Sequence, residues 1–449
     1  MFDMHLTVKR RICMCYTVYE FYKHIIESYV SDYYVENHWS KLPKSWQKYL
    51  YNISVDHVAE LLNFEKPVTK GVLPLSLLCV RNIIINVVIP RNISTNSYCA
   101  FKNEQFLKYF WKNVKLKKRH EIEKIAPICY DAGMKTNCFY IVDIGSGLGH
   151  LSRMLSYGYG FKVCTFEANS VLSTLATELD RKFEKDLMSK SLNHKSTSQT
   201  IHINKRVEEN LDWKTFLKMV TEAFSESCES FRFGIVGLHP CGNLGSTLLR
   251  LYNSCPNIVF INMASCCYMK LTLEPGSNGF PLSNYCKNNN FHLTYLACEI
   301  ACHAIENYVE KLQTHDDYYK LKIHAYRARL EEILVSIDSN LRHSAVCNVK
   351  YNEDLSFEKY CNKIVSKLSV VPPNKLVSSS EELINETWKN VVVFYSIRLL
   401  FAPLIETIIL FDRLLYTEDF DSDCEIMPLF DSIISPRNHV LSARKRNVI

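Results

Sequence analysis

Between Phe139 and Glu167 the chain sets an acid, three glycines and a second acid in an order that few folds can use. Phe139-Tyr140-Ile141-Val142-Asp143 is a β-branched and aromatic run ending in an acid. Gly145-Ser146-Gly147-Leu148-Gly149 then turns at once into the helical Leu151-Ser152-Arg153-Met154-Leu155. A second strand, Lys162 to Glu167, ends in another acid about 20 residues further on. Strand, glycine turn, helix and strand make a parallel βαβ unit, so the class is α/β with a Rossmann-like sheet. The glycines let backbone approach a ligand without a Cβ in the way, and the helix start presents free N–H groups to it. Glu167 is placed to accept hydrogen bonds from both hydroxyls of a ribose.

The alternation continues along the chain. A helix over about Ser170 to Leu187 follows β2, and Thr200 to Asn204 reads as β3. Phe233 to Leu238 (β4) and Ile258 to Met263 (β5) are apolar runs, each ending where a loop rich in chemistry begins. Ligands of open α/β sheets bind at those strand ends. Met188 to Gln199 is polar and reads as an exposed loop. Upstream, Val18 to Phe64 predicts a helical preface with Ser45 and Ser54 as N-caps and a turn at Leu42-Pro43. His120 to Ile125 has helical spacing and is expected to stop near Asp131-Ala132-Gly133. After Phe291 the pattern is helical through about Leu341, with a linker at Ser369 to Ser380 and a final helix over about Ser380 to Tyr416. Cys424 to Ile434 then offers a closing strand for the sheet. With 449 residues the chain exceeds one ordinary core. The expected division is a helical N-terminal region (1–114), a ligand-binding α/β domain (115–310) and a C-terminal helical region (311–449).

Which ligand the loop takes follows from spacing. A dinucleotide fingerprint puts its third glycine three residues after the second, to admit a pyrophosphate. Here Gly149 is two after Gly147, and Asp143 stands just before the loop, where an acid suits the ammonium of a methionine moiety better than a diphosphate. S-adenosylmethionine is therefore the expected cofactor, held by Asp143, Gly145, Ser146, Gly147, Gly149, His150 and Glu167, with Glu208 beyond β3 added to the set. Lys117-Lys118-Arg119-His120-Glu121 reads in three ways. Lys118 and His120 fold over the cofactor carboxylate or face a phosphate, or the run is a solvated helix face.

Composition narrows the setting. Fifty-three basic against 47 acidic side chains give a net charge of +6, which permits a nucleic-acid partner without marking a dedicated binder. Met1 to Arg11 has no long apolar run after it, so the 18 cysteines read as reduced thiols in a cytoplasmic or nuclear protein. Val391 to Leu410 is apolar, but Arg398, Glu406 and Pro403 interrupt it, so a buried helix is expected and no membrane span. Lys9-Arg10-Arg11 and Arg444-Lys445-Arg446 are treated as solvated tails. No oligomeric state is implied.

The chain also resembles a known family, the methyltransferase-like 25 proteins, also called ribosomal RNA adenine dimethylase domain-containing proteins. Stations of that resemblance are Trp39 to Pro43, Lys117 to Glu121, Asp143 to Arg153, Gly237-Leu238-His239-Pro240-Cys241-Gly242-Asn243, Ser265 to Leu271, Phe280 to Ser283 and Ala301 to Glu306. Ala402 to Glu406, Asp412 to Tyr416 and Ser435 to Asn438 extend it to the tail. The resemblance implies a class I, S-adenosylmethionine-dependent methyltransferase. A looser similarity of the His-x-Cys-Gly and Cys-Cys loops to a transfer-RNA methylating family points to RNA as substrate. Two departures stand out. The family pattern places Asp after Cys-Gly where this chain has Asn243, and adenine dimethylases carry Asn-(Ile/Leu)-Pro-aromatic after β4 where this chain has His-Pro-Cys-Gly.

Methyl transfer asks a protein for alignment, desolvation and, for a weak nucleophile, removal of a proton. His239 is the candidate base, set against a histidine bonded to the loop backbone. Cys241, Cys266 and Cys267 are expected to meet at the cleft, because neighbouring strands lie about 5 Å apart. Three readings stay open for them: covalent addition to a pyrimidine, zinc, or plain packing. No metal is assigned, because Cys-x-x-Cys spacing is missing. Tyr268 either stacks on a flat substrate or packs. Cys302-His303 is expected to pack against the sheet. The rival functions are a protein or small-molecule methyltransferase and a cofactor-binding scaffold without turnover.

Overall fold

The computed structural model describes residues 2–69, 71–93, 98, 100–189, 200–228, 231–345, 349–365 and 372–446. Two compact units emerge, and each is discontinuous in sequence. One comprises Met1–Lys9, Ile89–Tyr295 and Ile408–Ile449, the other Arg10–Val88 and Leu296–Thr407. The chain thus passes to and fro between units where the sequence reading draws three consecutive blocks.

The first unit holds a seven-stranded sheet in the order β3-β2-β1-β4-β5-β7-β6. Its strands are β1 (Tyr140–Ile144), β2 (Lys162–Glu167), β3 (Ile201–Asn204), β4 (Phe233–Cys241), β5 (Ile258–Cys266), β6 (Ser422–Pro428) and β7 (His439–Lys445). The first five run parallel, and β7 lies antiparallel between β5 and β6. Because β1 pairs with both β2 and β4, the strand order reverses at β1, and the carboxyl ends of strands at such a point are where open α/β sheets take their ligands. There Leu244, just past β4, lies against Gly145 of the glycine loop. Alternate residues of the buried strands face opposite sides. Ile141, Val163 and Phe260 join one apolar cluster with Ile122, Cys129 and Leu155. Val142, Cys164 and Ile261 join the other with Phe216, Leu248 and Leu441. Each fully buried side chain of this size contributes about 1.5–3 kcal/mol.

Helices α1 (Leu116–Thr136), α2 (His150–Arg153), α3 (Ser170–Ser189), α4 (Trp213–Phe224) and α5 (Asn243–Ser254) cover the faces. α1 does not stop at Asp131-Ala132-Gly133. It runs on to a left-handed Asn137, and Gly133 is an interior residue whose missing Cβ admits the ring of Phe161. α2 widens into a single π turn over Met154–Gly158. Most of the polar loop expected at 188–199 lies outside the described residues. The expected closing strand exists as β6, but it reaches the sheet only through β7, whose last residues, Arg444 and Lys445, belong to the run expected as a solvated tail. Arg444 pairs with Phe260 in that strand, and Lys445 Nζ donates to the Cys255 carbonyl at 2.5 Å. The run is therefore a strand and no solvated tail.

In the second unit Lys44–Leu50, Val55–Leu62 and Leu75–Val87 are helices of the first segment, and Ile305–Gln313 and Ile323–Ile337 belong to the second. Ser54 caps its helix through the His57 N–H, as expected. Ser45 does not cap, because Pro43 already starts the helix at Lys44 and leaves Ser45 inside its first turn. Arg11 is no solvated tail either, since its guanidinium donates to the carbonyls of Val87 and Val88. Cys302-His303 lies in this helical unit, with His303 Nε2 2.7 Å from Glu299. The apolar stretch forms two helices, Ser380–Leu399 in this unit and Ala402–Glu418, whose residues from Ile408 on belong to the first unit, with the break before Pro403. It is long and apolar enough to span a bilayer, yet 94% of its most apolar window is buried in the protein. Residues 366–371 of the expected linker lie outside the described residues.

Candidate cofactor and catalytic site

At the end of β1 the backbone enters left-handed conformations at Gly145 (φ +74°), Gly147 (+58°) and Gly149 (+66°). At Gly147 a Cβ would meet nothing within 4 Å, so backbone geometry selects glycine there and leaves open space above it. The loop is pinned from two sides. Gly145 N–H donates to the Phe166 carbonyl at 2.8 Å, and Gly147 N–H donates to Glu167 Oε2 at 2.8 Å. The other oxygen of Glu167 accepts the Asn169 N–H at 2.9 Å. Glu167, the last residue of β2, therefore braces the loop through both of its oxygens.

Asp143 is 2% exposed and accepts the Ser152 hydroxyl. Burial pushes its carboxyl up to about 6, while the Ser152 bond and the Lys118 charge pull the other way. The Ser146 hydroxyl is buried with no hydrogen-bond partner among the described residues. His150 lies 3.1 Å from an Arg153 guanidinium nitrogen, and burial together with Arg153 and Lys118 pushes its ring down to about 4, so it is neutral. Behind the loop Arg153 donates to Asp180 and to the Leu148 carbonyl, and His202 links Asp180 to Thr165 at 2.7 and 3.0 Å. This buried network ties the glycine loop to α3, β2 and β3. An orphaned hydroxyl, open space over Gly147 and acids at two adjacent strand ends suit a polar, cationic nucleoside such as S-adenosylmethionine.

β4 runs three residues beyond its expected end, through His239-Pro240-Cys241. His239 adopts φ +74°, a conformation rare for a side-chain-bearing residue and concentrated at functional sites. Its Nε2 lies 2.8 Å from Glu121 Oε1. The partner is thus a carboxylate on α1, not the loop backbone. Glu121 is fully buried, with Lys118 Nζ at 2.9 Å and the Ser435 hydroxyl at 2.8 Å. Burial opposes its charge, but His239 and Lys118 outweigh burial and hold the carboxyl at about 2. Sequence reasoning placed Glu121 only in a basic run and missed this role. An acid inside a Lys-Lys-Arg-His segment was the available signal.

The three cysteines converge as expected. Cys241 and Cys266 are register partners on β4 and β5 with sulfurs 3.2 Å apart, and Cys267 follows at 3.6 Å from Cys266. The His239 carbonyl accepts from the Cys241 and Cys266 thiols at 3.5 Å each. Cys241 is exposed, and the Cys266 thiol, helped by Cys267 and Lys270 against burial, pulls it down to about 5. The Cys266 thiol is pushed up in turn by its bond to Cys241. Gly242 has φ +55° and lies so close to the Lys270 carbonyl that a Cβ would come within 2.6 Å. Asn243 donates from Nδ2 to Glu209 and to Thr272, both at 2.9 Å, and accepts the Thr272 N–H. An Asp at 243 would set two carboxylates face to face, which explains the amide.

Three expected site residues are placed otherwise. Tyr268 is 1% exposed with Arg413 over its ring at 5.6 Å, so it packs and offers no face for stacking. His120 accepts the Asp431 N–H at 2.9 Å, which anchors the loop before β7 instead of a cofactor. Glu208 is an exposed acid 3.5 Å from Arg206, and its neighbour Glu209 is the one that reaches the β4 loop. Lys118 acts by its charge on Asp143 and His150.

Residues 117–274 match a family model described as a methyltransferase domain. Among curated proteins the chain is similar to the probable methyltransferase-like protein 25 of Homo sapiens, 27% identical over 228 residues. The Mus musculus protein of the same description is 28% identical over 233 residues. Each alignment covers 47% of this chain but only 37% of the relative, so the matched stretch spans little more than a third of those proteins. A crystal structure of coclaurine N-methyltransferase bound to N-methylheliamine and S-adenosylhomocysteine overlaps 87% of this chain and 95% of its own. At 11% identity and a TM-score of 0.21 that overlap bears no weight. The glycine loop, the acids at the ends of β1 and β2 and the match over residues 117–274 together identify a class I, S-adenosylmethionine-dependent methyltransferase domain within the sheet-bearing unit, similar to methyltransferase-like protein 25.

Proposed function

We propose that this chain methylates RNA, using S-adenosylmethionine bound over Gly147 and His239 as the group that takes the acceptor's proton. When bound, the cofactor supplies an electrophilic methyl group. Asp143 and the neutral His150 line its amino-acid end, and Glu167 accepts from its ribose. The observation that carries the reading is the His239–Glu121 pair at the β4 strand end. The carboxylate fixes the proton on Nε2 and leaves Nδ1 as the lone pair of the ring. An RNA substrate is favoured by exposed cations at the start of α1 and at strand ends: Lys115 and Lys117 before β1, Lys205 and Arg206 after β3, and Lys270 after β5. Such charges meet phosphates without reading sequence.

The test is incubation of the protein with S-adenosylmethionine carrying a labelled methyl group, total RNA, soluble protein and metabolites. Label that survives protease and is released by nuclease is the expected result. Label found only in protein or in small molecules would remove RNA from the proposal.

A further inference from the structure

Three thiols gathered at one point have few chemical uses. The sulfurs of Cys241, Cys266 and Cys267 all lie within 4.8 Å of one another, with Cys241 to Cys266 at 3.2 Å and Cys266 to Cys267 at 3.6 Å. A disulfide needs about 2.05 Å and is not formed here. Tetrahedral thiolates around zinc, with bonds of about 2.3 Å, put their sulfurs about 3.8 Å apart. The two pairs at 3.2 and 3.6 Å reach that spacing with shifts of about half an ångström, and the third pair lies within 4.8 Å. The scaffold holds it firmly: two of the ligands are register partners on neighbouring strands, and the third sits in a left-handed turn (φ 52°) directly after one of them.

We propose that Cys241, Cys266 and Cys267 bind one soft divalent cation, zinc by preference, with three thiolate ligands and a fourth position open to the cleft beside His239. Thiolates select such ions over the hard cations that carboxylates take. Among the described residues no fourth histidine, cysteine or acid joins the set. Cys266 is 8% exposed whereas Cys241 is exposed, so the open corner faces solvent on the Cys241 side. Three thiolates on a dication leave one negative charge, and the charge of Lys270 acts on both Cys241 and Cys267 to offset it. Thiol protons displaced by the ion pass to solvent. The only other group of metal-binding type among the described residues, Asp32 with Glu331 and His343, already has Arg342 on Asp32 and needs no ion. The ion would clip the β4 and β5 loops together, and its vacant position would admit water or a donor atom of the substrate, as in zinc sites that do chemistry. The missing Cys-x-x-Cys pattern is supplied by strand pairing instead of by a loop.

The full-length protein, purified under reducing conditions and stripped with a chelator, is titrated with cobalt and then zinc. One equivalent of cobalt should give the intense thiolate charge-transfer bands of a tetrahedral site, and zinc should abolish them. Cys241→Ser combined with Cys266→Ser should lose them. If that variant fails to fold, wild-type protein decides through alkylation. Zinc should slow iodoacetamide labelling of Cys241 about tenfold or more, because a bound thiolate is a poor nucleophile, while exposed Cys13 and Cys79 label at unchanged rates. Absence of thiolate bands together with labelling of Cys241 indifferent to zinc overturns the site. The inference does not rest on the RNA reading. Calorimetry with S-adenosylhomocysteine on the same samples reports separately whether the cofactor site is intact.

Discussion

Glu121 Oε1 lies 2.8 Å from His239 Nε2, although 118 residues separate the two in the chain. The pair joins the first turns of α1 to the end of β4, and two variants test it. His239→Ala should lose about a hundredfold in single-turnover methylation with cofactor affinity kept, the usual scale for losing a general base. Glu121→Gln offers an amide to Nε2 and disturbs the tautomer, so about a tenfold or greater loss is expected. Wild-type turnover in both variants would make the pair a packing feature.

Glu167→Ala should weaken S-adenosylmethionine binding by about 1–3 kcal/mol, the cost of charge-assisted hydrogen bonds to ribose. The Gly147 and Asn169 N–H groups lose their acceptor in the same variant, so amide exchange over the loop should also quicken. Calorimetry and hydrogen exchange check the two effects separately.

Asn243→Asp should destabilise this chain. Its carboxylate would face Glu209 and lose two donated hydrogen bonds, a cost of about 1–3 kcal/mol read as a lower Tm. Glu209→Gln should recover most of that loss in the double variant. Additive losses would show that Asn243 and Glu209 do not interact.

Asp180→Ala leaves the Arg153 guanidinium, 5% exposed, without its carboxylate. Removing one partner of such a buried pair costs about 3–5 kcal/mol in chemical denaturation. The Leu148 carbonyl held by Arg153 belongs to the glycine loop, so cofactor binding should fall as well.

What the sequence disclosed, and what it hid, divides along physical lines. β1 and β2 were legible because buried parallel strands are unbroken apolar runs, and the glycine loop because glycine adopts its left-handed backbone without the cost a side chain meets. β4 and β5 continue past their apolar runs through His239-Pro240-Cys241 and Ala264-Ser265-Cys266, where polar and sulfur-bearing residues look like loop. β7 was hidden by Arg444 and Lys445, whose charges suggest a tail, although its middle packs among buried neighbours. The convergence of the cysteines followed from strand order alone. The role of Glu121 did not, because nothing local in the sequence connects a residue on α1 to one at the end of β4.

The central claim is that the Gly145-to-Gly149 loop binds S-adenosylmethionine, and titration calorimetry on the wild type and two variants tests it most directly. Gly147→Trp fills the open space above the loop in a left-handed conformation that costs a side chain about 1–2 kcal/mol, and Asp143→Ala removes the buried acid beneath it. The account predicts one bound S-adenosylmethionine per chain in the wild type, loss of that binding in both variants with the fold retained, and no affinity for NADH. Undiminished S-adenosylmethionine affinity in both variants, or tight NADH binding that S-adenosylhomocysteine displaces poorly, would contradict it.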